Sequence, residues 1–205
     1  MADEDVLIRL LVSMPHHTGW TPWLDSRGFP EQEDHPYVVD KGWEALVMEL
    51  QRSPIGLYLD FWRIDPSGRF YCLRGLEDDF PRPGKPEPLT AIDFFLQVSR
   101  IAEIISVALS FARSMGCDEK NTTLAFAFRW SGLCDRDLAC WAQPDRSFFP
   151  RGKSHQDRIL TQTVVPLETP PSNLATYVEQ VVAPLFVLFG GMRFHSSVIG
   201  KTSTR

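Results

Sequence analysis

The chain has 205 residues, of which 43% are apolar and 23% charged, with a formal charge of -5. That length supports one well-buried core, and the composition excludes a disordered tail. The acidic balance argues against general binding to nucleic acid or to an anionic membrane.

The acidic start is followed by an apolar run, Val6 to Met14, that is short and holds Arg9. It reads as neither a signal peptide nor a membrane span, which predicts a cytoplasmic protein. The same run clusters Leu, Ile and Val ahead of Pro15 and predicts a strand. His16 to Pro36 has no period of its own; Trp20, Trp23 and Phe29 are expected to order it by docking on a sheet. Tyr37 to Gln51, opening on Tyr-Val-Val, is read as a strand leading into a hairpin.

Residues 57–75 carry the least ambiguous local structure. Asp65-Pro66-Ser67-Gly68 puts Pro where its fixed φ fits, Asp where its carboxylate can bond the turn backbone, and Gly where φ must be positive. Counting outward from this turn pairs Asp65 with Arg69, Ile64 with Phe70, Arg63 with Tyr71, Trp62 with Cys72, Phe61 with Leu73, and Asp60 with Arg74. Opposite charges meet at both ends, a small stabilisation of roughly 0.2–1 kcal/mol per pair that a slip of one residue would lose. Large apolar groups coat both faces, so the hairpin is expected inside a sheet.

Glu77-Asp78-Asp79 and the proline-rich run from Pro81 to Pro88 predict a loop. A helix is expected from Thr90, with Thr90 as cap, Asp93 three residues on, and Gly116 as the stop. Phe94, Val98, Ile101, Ile105, Ala108 and Ala112 form its apolar face, with Gln97, Arg100, Ser106, Ser110 and Arg113 opposite. About 26 residues would make it on the order of 39 Å long. Thr122 to Trp130 alternates large and small residues as a strand does, and Arg136 to Ala142 is its expected partner. Gln143 to Ser154 predicts a surface loop, Ile159 to Val165 a last strand, and the stretch after Pro170-Pro171-Ser172 a second helix kinked by Pro184 and closed by Gly190-Gly191. Residues 191–205 read as a partly frayed tail. Runs of strands without strict strand-helix alternation favour an α+β fold, one domain over residues 1–205, with a mainly antiparallel β-sheet and two long helices packed on one face.

The four cysteines, Cys72, Cys117, Cys134 and Cys140, contain no CxxC, so they are expected to be reduced thiols packed as small hydrophobes, with no metal and no cofactor. His16-His17 with His35 lacks a carboxylate at ligand spacing and reads as loop histidines. Arg146 to Arg158 interleaves basic residues with Phe148 and Phe149, and reads as a solvated loop in an acidic chain. Tryptophan and arginine together favour recognition of anions and rings. Trp20, Trp23, Arg63, Arg129, Trp130 and Trp141 are therefore the candidate ligand-binding residues, although Trp62 and Trp130, on alternating strands, read first as core.

Six stretches carry a resemblance: Thr18-Gly-Trp-Thr-Pro-Trp23, the hairpin Asp60 to Gly75, Phe128-Arg-Trp-Ser-Gly-Leu133, Cys140-Trp-Ala-Gln-Pro144, Ser154-His-Gln-Asp157 and Ala183-Pro-Leu-Phe186. In this order they resemble an uncharacterised domain that follows a Schlafen/AlbA-type DNA-binding domain in bacterial proteins described as ATP-binding proteins or transcriptional regulators. The match covers roughly residues 18 to 190. It implies a regulatory or sensory module and transfers no catalytic residue. The DNA-binding domain has no counterpart in these residues, so no direct nucleic-acid binding is expected, and the acidic balance and the short apolar run predict no membrane contact. The expectation is a non-catalytic module for a small-molecule ligand or a protein partner. The alternatives are a hydrolase or transferase using Cys140 or His155, with Cys134 and His195 as further thiol and base candidates, and a plain interaction or oligomerisation domain.

Overall fold

A computed structural model describes residues 22, 26, 27, 29–49, 58–81, 83–143 and 152–190. The predicted strand Val6 to Met14 and the tail after Gly190 lie outside them, as does most of the predicted loop from Gln143 to Ser154. The fold is α+β, with a four-stranded antiparallel sheet and two helices.

The sheet runs in chain order: β1 (Tyr37–Val39), β2 (Gly42–Glu49), β3 (Tyr58–Asp65) and β4 (Arg69–Arg74). Of the predicted strand Tyr37 to Gln51, residues 37–49 are thus extended but folded into two strands, because Asp40 takes a positive φ of 54° and turns the chain, and the last two residues lie outside the described ones. The β3–β4 register is the one counted from the turn, from Asp65↔Arg69 to Asp60↔Arg74. Gly68 N–H donates to Asp65 O at 2.9 Å, Ser67 N–H donates to Asp65 Oδ1 at 2.9 Å, and Gly68 sits at φ 85°. On the inner face Trp62 and Ile64 are buried against Ala45, Val107 and Phe111. The other face is not covered as expected: Leu46, Met48, Tyr71 and Leu73 remain 39–51% exposed, and β4 is an edge strand.

Helix α1 (Phe94–Ser114) starts four residues after Thr90. Ala91–Asp93 is instead a short strand, β5, paired in parallel with β7 (Asp137–Ala139). Asp93 is the cap, its Oδ1 accepting from Leu96 N–H at 2.9 Å, while the Thr90 hydroxyl donates to Glu87 O. The helix ends as expected at Gly116 (φ 77°): Gly116 N–H bonds Arg113 O and Cys117 N–H bonds Ala112 O, which satisfies two terminal carbonyls. At 21 residues it is shorter than predicted. Val107 and Phe111 pack on the four-stranded sheet, with the Phe70 ring edge-on to Phe111 at 5.0 Å. Ile101, Ile105 and Leu109 belong to the main core on the other side. With layers on two sides, the polar stripe cannot all face water: Gln97 and Glu103 are buried. This helix is long and apolar enough to cross a membrane, but its apolar surface is spent as a core helix, 56% of the window being buried.

Strand β6 (Thr123–Ser131) pairs with β8 (Arg158–Pro166) over nine positions, from Thr123↔Pro166 to Ser131↔Arg158. The expected partner, Arg136 to Ala142, is elsewhere. Gly132 (φ 70°) and Asp135 (φ 63°) turn the chain, and the buried Arg136 draws the segment toward β5. Helix α2 (Leu174–Val187), with Pro184 exposed inside it, packs on both α1 and β8. Phe94 and Phe186 meet at 4.6 Å between ring centroids. The two helices therefore share one face of the β6–β8 ribbon, and the four-stranded sheet covers α1 from the far side.

Candidate functional site

The gap between β4 and β6, floored by α1, is a cleft of about 200 Å³. Three elements each supply one arginine to its lining: Arg74 from β4, Arg100 from α1 and Arg129 from β6. Phe128 and Trp130 form an aromatic wall, 6.2 Å between centroids, and Leu96, Ile101 and Ile104 add apolar floor. Strand periodicity explains the wall, since Phe126, Phe128 and Trp130 are two residues apart and share a face. The Trp130 indole N–H donates to Gln97 Oε1 at 2.9 Å, which fixes the ring.

Each inner arginine has an acid behind it. Arg74 Nε donates to Asp60 Oδ2 at 3.1 Å, and Nη2 donates to Asp60 and to Pro22 O. Arg100 pairs with the buried Glu103 at 3.3 Å and with Glu77, which itself lines the cleft. Burial first, and then the neighbouring Arg74 charge, push the Arg100 guanidinium down to about 10. Arg129 makes no hydrogen bond or ion pair among the described residues and is exposed at the rim. Cys72 also lines the cleft, its thiol donating to Pro22 O at 3.3 Å. Burial first, then Asp60, push that thiol up to about 12, so it carries almost no thiolate near neutral pH.

Of the six candidate residues, the cleft brings together Arg129 and Trp130. Trp20 and Trp23 lie outside the described residues, although Pro22 between them lines the cleft. Arg63 lies on the far side of the sheet, ion-paired with Glu44 across the β2–β3 register. Trp141 belongs to a separate polar knot at the start of α1. Its indole N–H donates to Asp78 Oδ1 at 2.8 Å, and Lys85 Nζ stands 4.3 Å above its ring. There Asp93 Oδ2 accepts from Ala142 N–H at 2.8 Å, and Asp78 Oδ1 also accepts from Asp93 N–H at 2.6 Å. Burial pushes both carboxyls up, and Asp78 Oδ2 has no hydrogen-bond partner among the described residues.

Arg74, Arg100 and Phe128 were not singled out beforehand. Arg100 sat on the predicted polar face of a helix and Arg74 at the end of a hairpin; nothing in sequence spacing brings them together. The thiols are all free, but Cys72, Cys117 and Cys134 are exposed and Cys140 only half-buried, so they are not packed as core. Partial desolvation and then Asp135 raise the Cys134 thiol above its ordinary value. His155 is exposed. No group of three or more His, Cys, Asp or Glu side chains among the described residues could hold a metal ion. Comparison with family models, with curated proteins and with solved structures finds no match for this chain.

Proposed function

We propose that this chain is a non-catalytic sensory or regulatory module of the cytoplasm that binds a small ligand in the cleft between β4, α1 and β6. The observation that carries this reading is that Arg74, Arg100, Phe128, Arg129 and Trp130 all line one cleft, with Arg129 exposed at its rim. Flat rings and planar cations recognise ligands at little entropic cost, and few polar groups in an apolar setting are the usual make-up of a ligand site. The cleft borders two separate sheets that share α1 as support. A ligand touching both Arg74 and Arg129 would favour one spacing of β4 and β6, and a preference of this kind is what a sensor transmits. The resemblance to a domain of bacterial transcriptional regulators supports the same assignment. The raised thiols of Cys72 and Cys134 weigh against a thiol nucleophile, which needs its thiolate. The hydrolase or transferase alternative rests on Cys140 or His155.

One observation favours a second reading, that of an interaction domain. Leu46, Met48, Tyr71 and Leu73 leave an apolar patch on the outer face of the sheet. Nuclear magnetic resonance of the labelled protein against a mixed metabolite library separates the two. Shifts at the Trp130 indole and the Arg129 amide, lost in Phe128→Ala, support the cleft. Concentration-dependent line broadening confined to Leu46, Met48 and Tyr71, with an unperturbed cleft, would instead support the outer face.

A further inference from the structure

The cleft already holds a carboxylate, that of Glu77, on the Arg100 guanidinium. Glu77 is not deep: it opens the short 3-10 turn Glu77–Asp79 between β4 and β5 and is half-buried. Glu103, by contrast, holds Arg100 from the buried side. The two acids therefore differ in kind, one setting the arginine in place and the other occupying its cleft side. We infer that the cleft takes a small aromatic carboxylate, whose acid group replaces Glu77 on Arg100 and whose ring lies against Phe128. This inference rests on the cleft being the ligand site.

Size and charge support it. About 200 Å³ lies below the ~300–1,000 Å³ of sites that enclose drug-sized molecules, which limits the occupant to about a single ring with its acid group. Planar guanidinium matches carboxylate in a two-pronged geometry, and Phe128 offers a partly open ring beside it. Arg129, with no partner among the described residues, adds an uncompensated positive charge at the mouth. Exchange of one carboxylate for another leaves the buried Glu103–Arg100 pair intact, so binding does not strand a buried charge. It frees the Glu77 side chain, while Asp78 and Asp79 still hold the turn through Trp141 and Arg136.

Calorimetric titration with benzoate, benzamide and inorganic phosphate tests the inference, alongside the Trp130 indole resonance. Benzoate should bind and move that resonance, and benzamide and phosphate should bind at least about tenfold more weakly. Glu77→Gln, which removes the competing charge, should tighten benzoate several-fold. Arg129→Gln, at an exposed residue whose loss leaves the fold intact, should weaken it several-fold, and Arg100→Gln should abolish it. Equal binding of benzamide and benzoate would overturn the acid class while leaving the cleft as the ligand site. Phosphate binding as tightly as benzoate would overturn the need for a ring. Weaker benzoate binding in Glu77→Gln would overturn the exchange with Glu77. If none of the three moves the Trp130 resonance, this inference fails; if the metabolite library leaves it unmoved as well, the cleft reading fails with it.

Discussion

Arg136 and Asp79 meet through two parallel hydrogen bonds of 2.6 and 2.7 Å, although 57 residues separate them in the chain. Arg136 is 1% exposed and also donates to Ala91 O and Gly132 O, so one side chain ties the turn before β5 to the segment after β6. Removing one partner of such a pair strands the other charge in the interior. Arg136→Met or Asp79→Asn alone should each cost ~3–5 kcal/mol in chemical denaturation, and Arg136→Lys should not rescue, lacking the two-pronged geometry. A loss below ~1 kcal/mol would mean that the pair does not organise this end of α1.

Trp130 and Gln97 form a second interior pair, each at 7% exposure. Trp130→Phe keeps a ring in the wall but leaves Gln97 Oε1 without its donor, at a cost of ~1–3 kcal/mol for an unsatisfied buried acceptor. Adding Gln97→Leu should return part of this. The double variant should be more stable than the sum of the singles predicts, as read in a denaturation cycle.

Two glycines of the sheet should respond differently to substitution. A Cβ at Gly42 would sit 2.6 Å from Ile64 O, a backbone atom that cannot move aside, so every residue there should destabilise by at least ~1–3 kcal/mol. Gly68 has open space but φ 85°. Gly68→Ala should cost ~1–2 kcal/mol through left-handed strain alone, and Gly68→Asn should recover much of it. Thermal melts of Gly42→Ala, Gly68→Ala and Gly68→Asn give the order.

The acids predict opposite pH trends. Asp78 and Asp93 hold their protons more tightly folded than unfolded, because burial penalises their charged forms. Their contribution is full below the ordinary carboxylate value of 3.8 and is lost as pH rises from there through the raised folded values. Asp65 is the reverse: the Ser67 and Arg69 hydrogen bonds lower it to about 2, so its contribution is present above 3.8 and lost as pH falls toward 2. Asp78→Asn keeps an acceptor for Trp141, and it should flatten the fall in stability as pH rises above 3.8. An unchanged slope in denaturation at several pH values would show that Asp78 titrates normally.

Alkylation tests the thiols directly. Cys72 and Cys117 are both exposed as residues, but the Cys72 thiol is held up to about 12, so Cys72 should react with iodoacetamide more slowly than Cys117 at mildly alkaline pH. Mass spectrometry of the modified peptides reads the order, and labelling of Cys72 first would show that its thiol is not raised beside Asp60.

The hairpin from Asp60 to Arg74 was legible down to its register, because a turn with Pro, Asp and Gly at set places leaves one way to pair the flanking residues. The strands Thr123–Ser131 and Arg158–Pro166 and the Gly116 stop were legible for the same reason: periodicity and local backbone preference act over a few residues. The start of α1 was misplaced because Thr90 and Asp93 both suit a cap, and the choice fell to a strand pairing with residues 137–139. The partner of β6 was misread because a nearby strand-like stretch cannot be told from a distant one until Arg136 is seen to be pulled inward. Of the residues that line the cleft, residue type points to Arg129 and Trp130, whereas Arg74, Arg100 and Phe128 carry no such signal.

Local chemistry thus set the turn, the strands, the helix stop and the α+β character of this protein, since each depends on neighbours within one turn or one hairpin. Folding in three dimensions settled which strands pair, that α1 is buried from two sides, and that three arginines from three elements face one cleft. Those outcomes depend on which distant surfaces exclude water together and which buried charges find partners, and no window of sequence contains both members of such a pair.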